Sequence, residues 1–237
     1  MKHVLAATFV TALGLAGVSI GQPASAQDNP VVVELYTSQG CSSCPPADDM
    51  MVELAERSDV IALALHVDYW DYIGWKDPFG NPAYAARQRA YAAEGQRRSI
   101  YTPEMIVMGQ TDIVGAKPMA LSKAIAEHAK AAPKVAVKLK REGDDLHIAV
   151  SPLDVVAGLM TVHLMRYAPM KNTEIMRGEN SGKIMKNVNI VDDWHVLGTW
   201  DGQAPWVMQT TVTGPRPVVV IVQKHEVGPI MAAARLK

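Results

Sequence analysis

The chain lacks a charge excess of either sign: 23 lysines and arginines stand against 24 aspartates and glutamates, a formal net charge of −1. Nucleic-acid binders carry a basic footprint, so this balance argues against that class of partner and points to no other. Repeats and low-complexity tracts are also missing, which leaves the composition of an ordinary globular protein. Cysteine is the scarcest chemistry-bearing residue, with two in 237 positions. Two thiols fall short of a closed structural zinc site, and neither a second cysteine pair nor a His-x-x-x-His pair supplements them.

The first residues carry a targeting signal. Lys2 gives a positive start, Val4 to Ile20 is almost uninterrupted apolar sequence, and Ala24-Ser25-Ala26 is a small-residue cleavage pattern. That order reads as a secretory signal peptide over residues 1–26. A membrane anchor is the other reading, but the stretch is short and rich in Gly and Ala, whereas a spanning helix needs about 20 mostly apolar residues. No cysteine stands near the cleavage pattern, so a lipid anchor is disfavoured. The expectation is a periplasmic or secreted protein with no membrane anchor after cleavage.

Beyond the leader, Val31 to Tyr36 is a β-branched run typical of a buried strand. A turn-like Thr37-Ser38-Gln39-Gly40 follows, then Cys41 and Cys44, then helical periodicity from about Ser42 to Arg57. Val60 to Val67 predicts a second strand, running into Asp68-Tyr69-Trp70-Asp71. Asn81, Pro82 and Gly95 mark the cap, first residue and stop of another helix. Glu104 to Met108 and Asp112 to Val114 predict two more strands, and Met119 to Ala129 a final helix. Strands and helices in alternation imply an α/β domain with a mixed sheet over 27–132. From Lys134 helical periodicity is lacking and apolar residues alternate, which predicts a β-rich, sandwich-like domain over 133–237.

The cysteines are too close in sequence to staple much, because a disulfide stabilises chiefly by closing a long loop. Exported proteins sit where disulfides persist, so the Cys-Ser-Ser-Cys spacing favours reactive chemistry. At the first turn of a helix the unpaired N–H groups and the dipole favour a thiolate on Cys41. Cys44, three residues on, is within reach to resolve whatever Cys41 has bonded. A Cys-x-x-Cys beside a β-α-β pattern reads as thioredoxin-like redox. The Thr102-Pro103 step before an apolar strand adds the place for a cis-proline, an uncommon and deliberate turn feature.

These motifs carry a resemblance. Over roughly residues 31–130 the chain is similar to the thioredoxin superfamily. It more closely resembles the exported family known as domain of unknown function 1223. The carrying stretches run from Glu34 through Cys41 and Cys44 to Asp48, then His66 to Asp71, Arg87 to Tyr91, and Tyr101 to Pro103. The resemblance implies a thioredoxin-like fold and a redox pair, with the backbone of Thr102 beside Pro103 presented to an extended substrate, and no settled substrate.

The chain departs from ordinary thioredoxin. Gly40 stands where a tryptophan precedes the first cysteine, no Gly-Pro separates the pair, and Pro45 and Pro46 follow it. Two missing N–H groups there predict an irregular first turn, and Asp48 and Asp49 oppose a thiolate. The direction of electron flow therefore stays open.

Other residues carry candidate roles by their chemistry. Glu34, an acid in an apolar strand, is a candidate to take the Cys44 proton; its alternative is an edge position facing water or an arginine. Tyr69 and Trp70 end a strand on the side where open α/β sheets place ligands, and are candidate substrate contacts. Arg87, Arg89, Arg97 and Arg98 read as a solvated face. Cys41, Cys44 and His66 would suit a soft ion such as Cu(I), which keeps metal carriage as a rival, alongside a non-catalytic interaction protein of the same fold. The leading reading is a thiol–disulfide oxidoreductase acting on protein or small-molecule thiols and disulfides, and it calls for no cofactor.

Overall fold

A computed structural model describes residues 29–237; the leader expected over residues 1–26 lies outside them. The first strand, β1 (Val31–Thr37), is buried along its whole length. Helix α1 (Pro45–Glu56) returns the chain to β2 (Val60–His66), which pairs parallel to β1 from Val31↔Val60 to Thr37↔His66. Both strands are apolar at nearly every position because both faces are covered. Helix α2 (Pro82–Glu94) starts where expected, the Asn81 side chain accepting a hydrogen bond from the Ala83 N–H. β3 (Glu104–Val107) adds antiparallel to β1 and β4 (Thr111–Val114) to β3, before α3 (Pro118–His128).

From β5 (Val135–Glu142) onward everything regular is strand: β6 (Asp145–Pro152), β7 (Met160–Glu174), β8 (Ile184–Trp200), β9 (Trp206–Thr211), β10 (Val218–Lys224) and β11 (Ile230–Leu236). The sheet does not stop where the helices do. An eight-stranded mixed sheet runs β11-β10-β7-β8-β2-β1-β3-β4, and a three-stranded sheet runs β5-β6-β9. The seam is β2 against β8, where one parallel register pair, Ala64↔Ile190, is joined by the Asn189 side chain donating to the Ala62 carbonyl. Asn189 has φ +48°, a backbone angle that asparagine tolerates better than most residues.

Two cores result. One gathers β1, β2, β3 and the helices with Met165, Tyr167, Val219 and Ile221. The other lies between the sheets, with Leu146, Ile148 and Val150 facing Val162, Leu164, Val218, Val220 and Val222. Alternate residues of β7 and β10 thus serve different cores, as the period of two in a strand requires. Among the described residues no helix is long and apolar enough to cross a membrane.

Candidate functional site

β1 and β2 are parallel and end together, so the segments that follow them share one edge of the sheet. The Cys41 N–H donates to the Ser38 carbonyl and the Cys44 N–H to the Cys41 carbonyl, winding the segment into two tight turns. The sulfurs of Cys41 and Cys44 are joined in a disulfide. Both residues are buried, whereas Ser42 and Ser43 between them are exposed.

The helix starts later than the sequence predicts. Cys44 is its N-cap and Pro45 its first residue, so Cys41 lies before the first turn. Pro45 and Pro46 fall at positions whose N–H groups have no acceptor within a helix, so they remove nothing. The expected irregular first turn is therefore absent: Ala47 and Asp48 both donate normally to the Cys44 carbonyl. The prolines have another consequence. The helix end offers no free N–H from its first four residues, so the polar groups at the Cys41 sulfur come from elsewhere. They are the Ser43 hydroxyl at 3.4 Å and the Thr102 carbonyl at 3.8 Å.

The Thr102-Pro103 bond is cis. The Thr102 carbonyl accepts from Ser43 Oγ at 3.4 Å, and its hydroxyl accepts from Trp70 Nε1 at 2.7 Å. Trp70 also lies over Gly40, and its ring stacks with that of Tyr72, which is 79% exposed. Cys41, Thr102, Pro103 and Trp70 are therefore brought together. Tyr69 is turned aside: its hydroxyl donates to Gln88 Oε1 on α2, and burial raises its pKa to about 12.

Glu34 is fully buried within β1 and committed to an ion pair. Arg87 Nε donates to Oε1 at 2.8 Å, and the Tyr91 hydroxyl donates to Oε2 at 2.7 Å. This is the arginine-paired alternative, in a central strand instead of at an edge. The solvated arginine face is corrected for two of its four members: Arg87 reaches Glu34 and Gln223, and Arg97 pairs with Glu104 and Asp112, while Arg89 and Arg98 are exposed as expected.

A second set of buried polar groups lies under the cysteine segment. Asp48, one turn beyond Cys44, accepts from Thr37 Oγ1 at 3.0 Å and leaves its other oxygen without a partner. Burial raises its pKa to about 7, against the opposing pull of His66 and Thr37. His66 Nδ1 lies 2.7 Å from Asp77 Oδ2, both side chains being fully buried. Burial works against an ionised Asp77, but attraction to His66 and hydrogen bonds from His66, Gln39 and Phe79 outweigh it and hold its pKa low. With one nitrogen engaged this way, His66 is part of an internal pair. Among the described residues no three His, Cys, Asp or Glu side chains are grouped to hold a metal ion.

The polar, turn-rich loop Arg177 to Lys183 reads in the sequence either as a mobile surface loop or as one folded across the redox face. Asn180 at its centre joins it to the cysteine segment, whereas Gln39 and Asn187 carry no such signal. Gln39 is pinned on every side: its N–H donates to Asp77, its side chain bonds Asn187 and Trp75, and its carbonyl accepts from Asn180. Asn180 and Asn187 lie some 140 residues away in sequence, and only the seam between β2 and β8 brings them here. No local pattern signals Asn187.

A family model for "Protein of unknown function (DUF1223)" matches residues 32–223. A crystal structure of a protein from Agrobacterium tumefaciens is similar with a TM-score of 0.76 and 28% identity, covering 89% of this chain and 95% of that one. HBP35 of Porphyromonas gingivalis shares the fold at a TM-score of 0.63 and 15% identity, covering 88% of this chain and 75% of that one. No curated protein matches the chain.

Proposed function

The chain belongs to the DUF1223 family, and we propose that it is an exported thiol–disulfide oxidoreductase of thioredoxin-like architecture working through Cys41 and Cys44. The observation that carries the reading is one juxtaposition. A bonded Cys-x-x-Cys leading into a helix lies against the carbonyl of the residue before a cis-proline, with the Cys41 sulfur 3.8 Å from Thr102 O. The order β2-β1-β3-β4 with α1 between parallel strands supports the architecture. The leader-like residues 1–26 support export.

The chemistry assigns the thiols different tasks. In the reduced protein, the Cys41 thiolate attacks one sulfur of a partner disulfide and expels the other partner sulfur as a thiolate. Cys44 then loses its proton and attacks Cys41, re-forming the internal bond and releasing the second partner sulfur. The partner gains two electrons and the protein loses two; the reverse sequence oxidises a partner dithiol. Cys41 is the attacking thiol because it borders the exposed serines and Thr102. Cys44 is wholly enclosed at the N-cap. Trp70 and Tyr72 form an aromatic rim beside Thr102 for the partner segment.

The test is turnover of an insulin-type disulfide substrate, and oxidation of a reduced model substrate, by the mature protein and by Cys41→Ser. Loss of activity in the variant is expected. Equal activity in both would remove Cys41 from the mechanism.

A further inference from the structure

The segment Met176–Lys183, which joins β7 to β8, is polar and largely exposed, yet one residue in the middle of it is completely buried. Asn180 has no accessible surface, whereas its neighbours Glu179 and Ser181 are both exposed. Both hydrogens of its amide are spent on the cysteine segment: Nδ2 donates to the Gln39 carbonyl and to the Cys41 carbonyl, each at 2.9 Å. Its oxygen accepts from Lys183 Nζ at 2.8 Å. The tip is seated at a second point where Gly178, at φ +76°, lies close against Trp75: a Cβ there would sit 3.1 Å from Trp75 Cβ, a tight contact.

The Cys41 carbonyl also accepts from the Cys44 N–H. The turn closed by the disulfide and the tether from Asn180 therefore meet on a single oxygen. The covalent bond holds residues 41–44 in the turn that aims this carbonyl at Asn180. Reduction adds two electrons and two protons, breaks the sulfur–sulfur bond and frees the turn to relax. A contact better made in one state stabilises that state, and the coupling is reciprocal.

Resting on the oxidoreductase reading for its role but not for its measurement, we propose that Asn180 is a positioning residue of the cysteine pair. It holds the Cys41 carbonyl in the arrangement of the disulfide state, so it favours that state, and reduction loosens the Met176–Lys183 tip.

The test equilibrates full-length mature protein with glutathione redox buffers and traps free thiols by alkylation. Asn180→Ala is expected to be reduced roughly tenfold more readily than the unaltered protein, equivalent to a potential higher by about 30 mV. A folded Asn180→Ala whose equilibrium constant stays within twofold overturns the proposal. If that variant fails to fold, hydrogen exchange on the unaltered protein decides. The amides of Ser181, Gly182 and Lys183 should exchange several-fold faster after reduction by a dithiol, and unchanged rates overturn the proposal equally. Neither measurement uses a protein substrate. Turnover independent of Cys41 would thus remove the oxidoreductase reading and leave the coupling standing, and an unshifted potential would do the reverse.

Discussion

Gly40 and Trp70 occupy one space: a Cβ on Gly40 would sit 3.2 Å from Trp70 Cβ and 3.3 Å from its carbonyl oxygen. The residue before the cysteines is small because the Cβ and backbone carbonyl of Trp70, whose indole donates to Thr102, already occupy that space. Gly40→Ala should therefore cost about 1 kcal/mol through overpacking. Part of that cost should vanish when Trp70 is also changed to Gly, which removes the Cβ that the new methyl group would meet, since contacting residues couple. Urea denaturation of the two single variants and the double variant measures the coupling. A Gly40→Ala cost that is the same in both backgrounds would mean that the Trp70 side chain is not what excludes the methyl group.

Much of this site was legible from residue order because it is local. The cysteines, the helix after them and the Thr102-Pro103 step lie within or beside strands whose β-branched runs are unambiguous. What stayed hidden depends on the seam. β8 reads poorly because Asp192 and Asp193 interrupt its apolar pattern, and β11 because its alanines favour helix intrinsically; packing beside β10 overrides that preference. With β8 unread, Asn187 could not be assigned to the cysteine segment, nor Asn189 to β2. Glu34 stands out in the sequence as an acid in an apolar strand, whereas nothing local marks Arg87 as its partner, because the helix that carries Arg87 reads as exposed on that face.

The Glu34–Arg87 pair should behave as structure and not as part of the thiol chemistry. Removing one member leaves the other charge buried, at a cost of about 3–5 kcal/mol. Glu34→Ala is expected to lose stability on that scale. Glu34→Gln keeps an acceptor for Tyr91, so it should lose less, and it should leave the pH profile of thiol exchange where it was. A profile displaced in a folded Glu34→Gln protein would restore Glu34 as the proton acceptor for Cys44.

His163 should make the protein sensitive to mild acid. Burial, aided by the Arg87 charge, lowers its pKa to about 3, and Trp194 Nε1 donates to its Nδ1. The unfolded chain takes up a proton near pH 6.5 while the folded protein does not, so this contribution is present above 6.5 and is lost as pH falls. Between pH 7 and pH 5 the loss is about 2 kcal/mol, from 1.36 kcal/mol per unit. His163→Gln keeps an acceptor and does not titrate, so its stability relative to the unaltered protein should improve by that amount over the interval. Chemical denaturation at the two pH values measures it, and parallel curves would show that His163 is not held neutral.

Asp48 should act with the opposite sign. Its pKa rises from 3.8 to about 7 because it is buried, with one carboxyl oxygen bonded to Thr37 and the other unpartnered. The folded protein therefore holds a proton that the unfolded chain gives up near pH 4. Stability from this group is complete at low pH and is lost as pH rises through about 7. From pH 5 to pH 8 the loss is about 2–3 kcal/mol by the same conversion. Asp48→Asn carries no titratable proton and keeps an acceptor for Thr37, so it should gain on the unaltered protein across that interval. His163→Gln makes its gain in the acid direction instead. Because the two slopes have opposite signs, denaturation at pH 5, 7 and 8 separates them without assigning either one spectroscopically. A difference between Asp48→Asn and the unaltered protein that stays constant from pH 5 to pH 8 would mean that Asp48 is ionised throughout. The buried side chain one turn beyond Cys44 would then carry a fixed negative charge, and Cys44 would lose its proton against that charge during resolution.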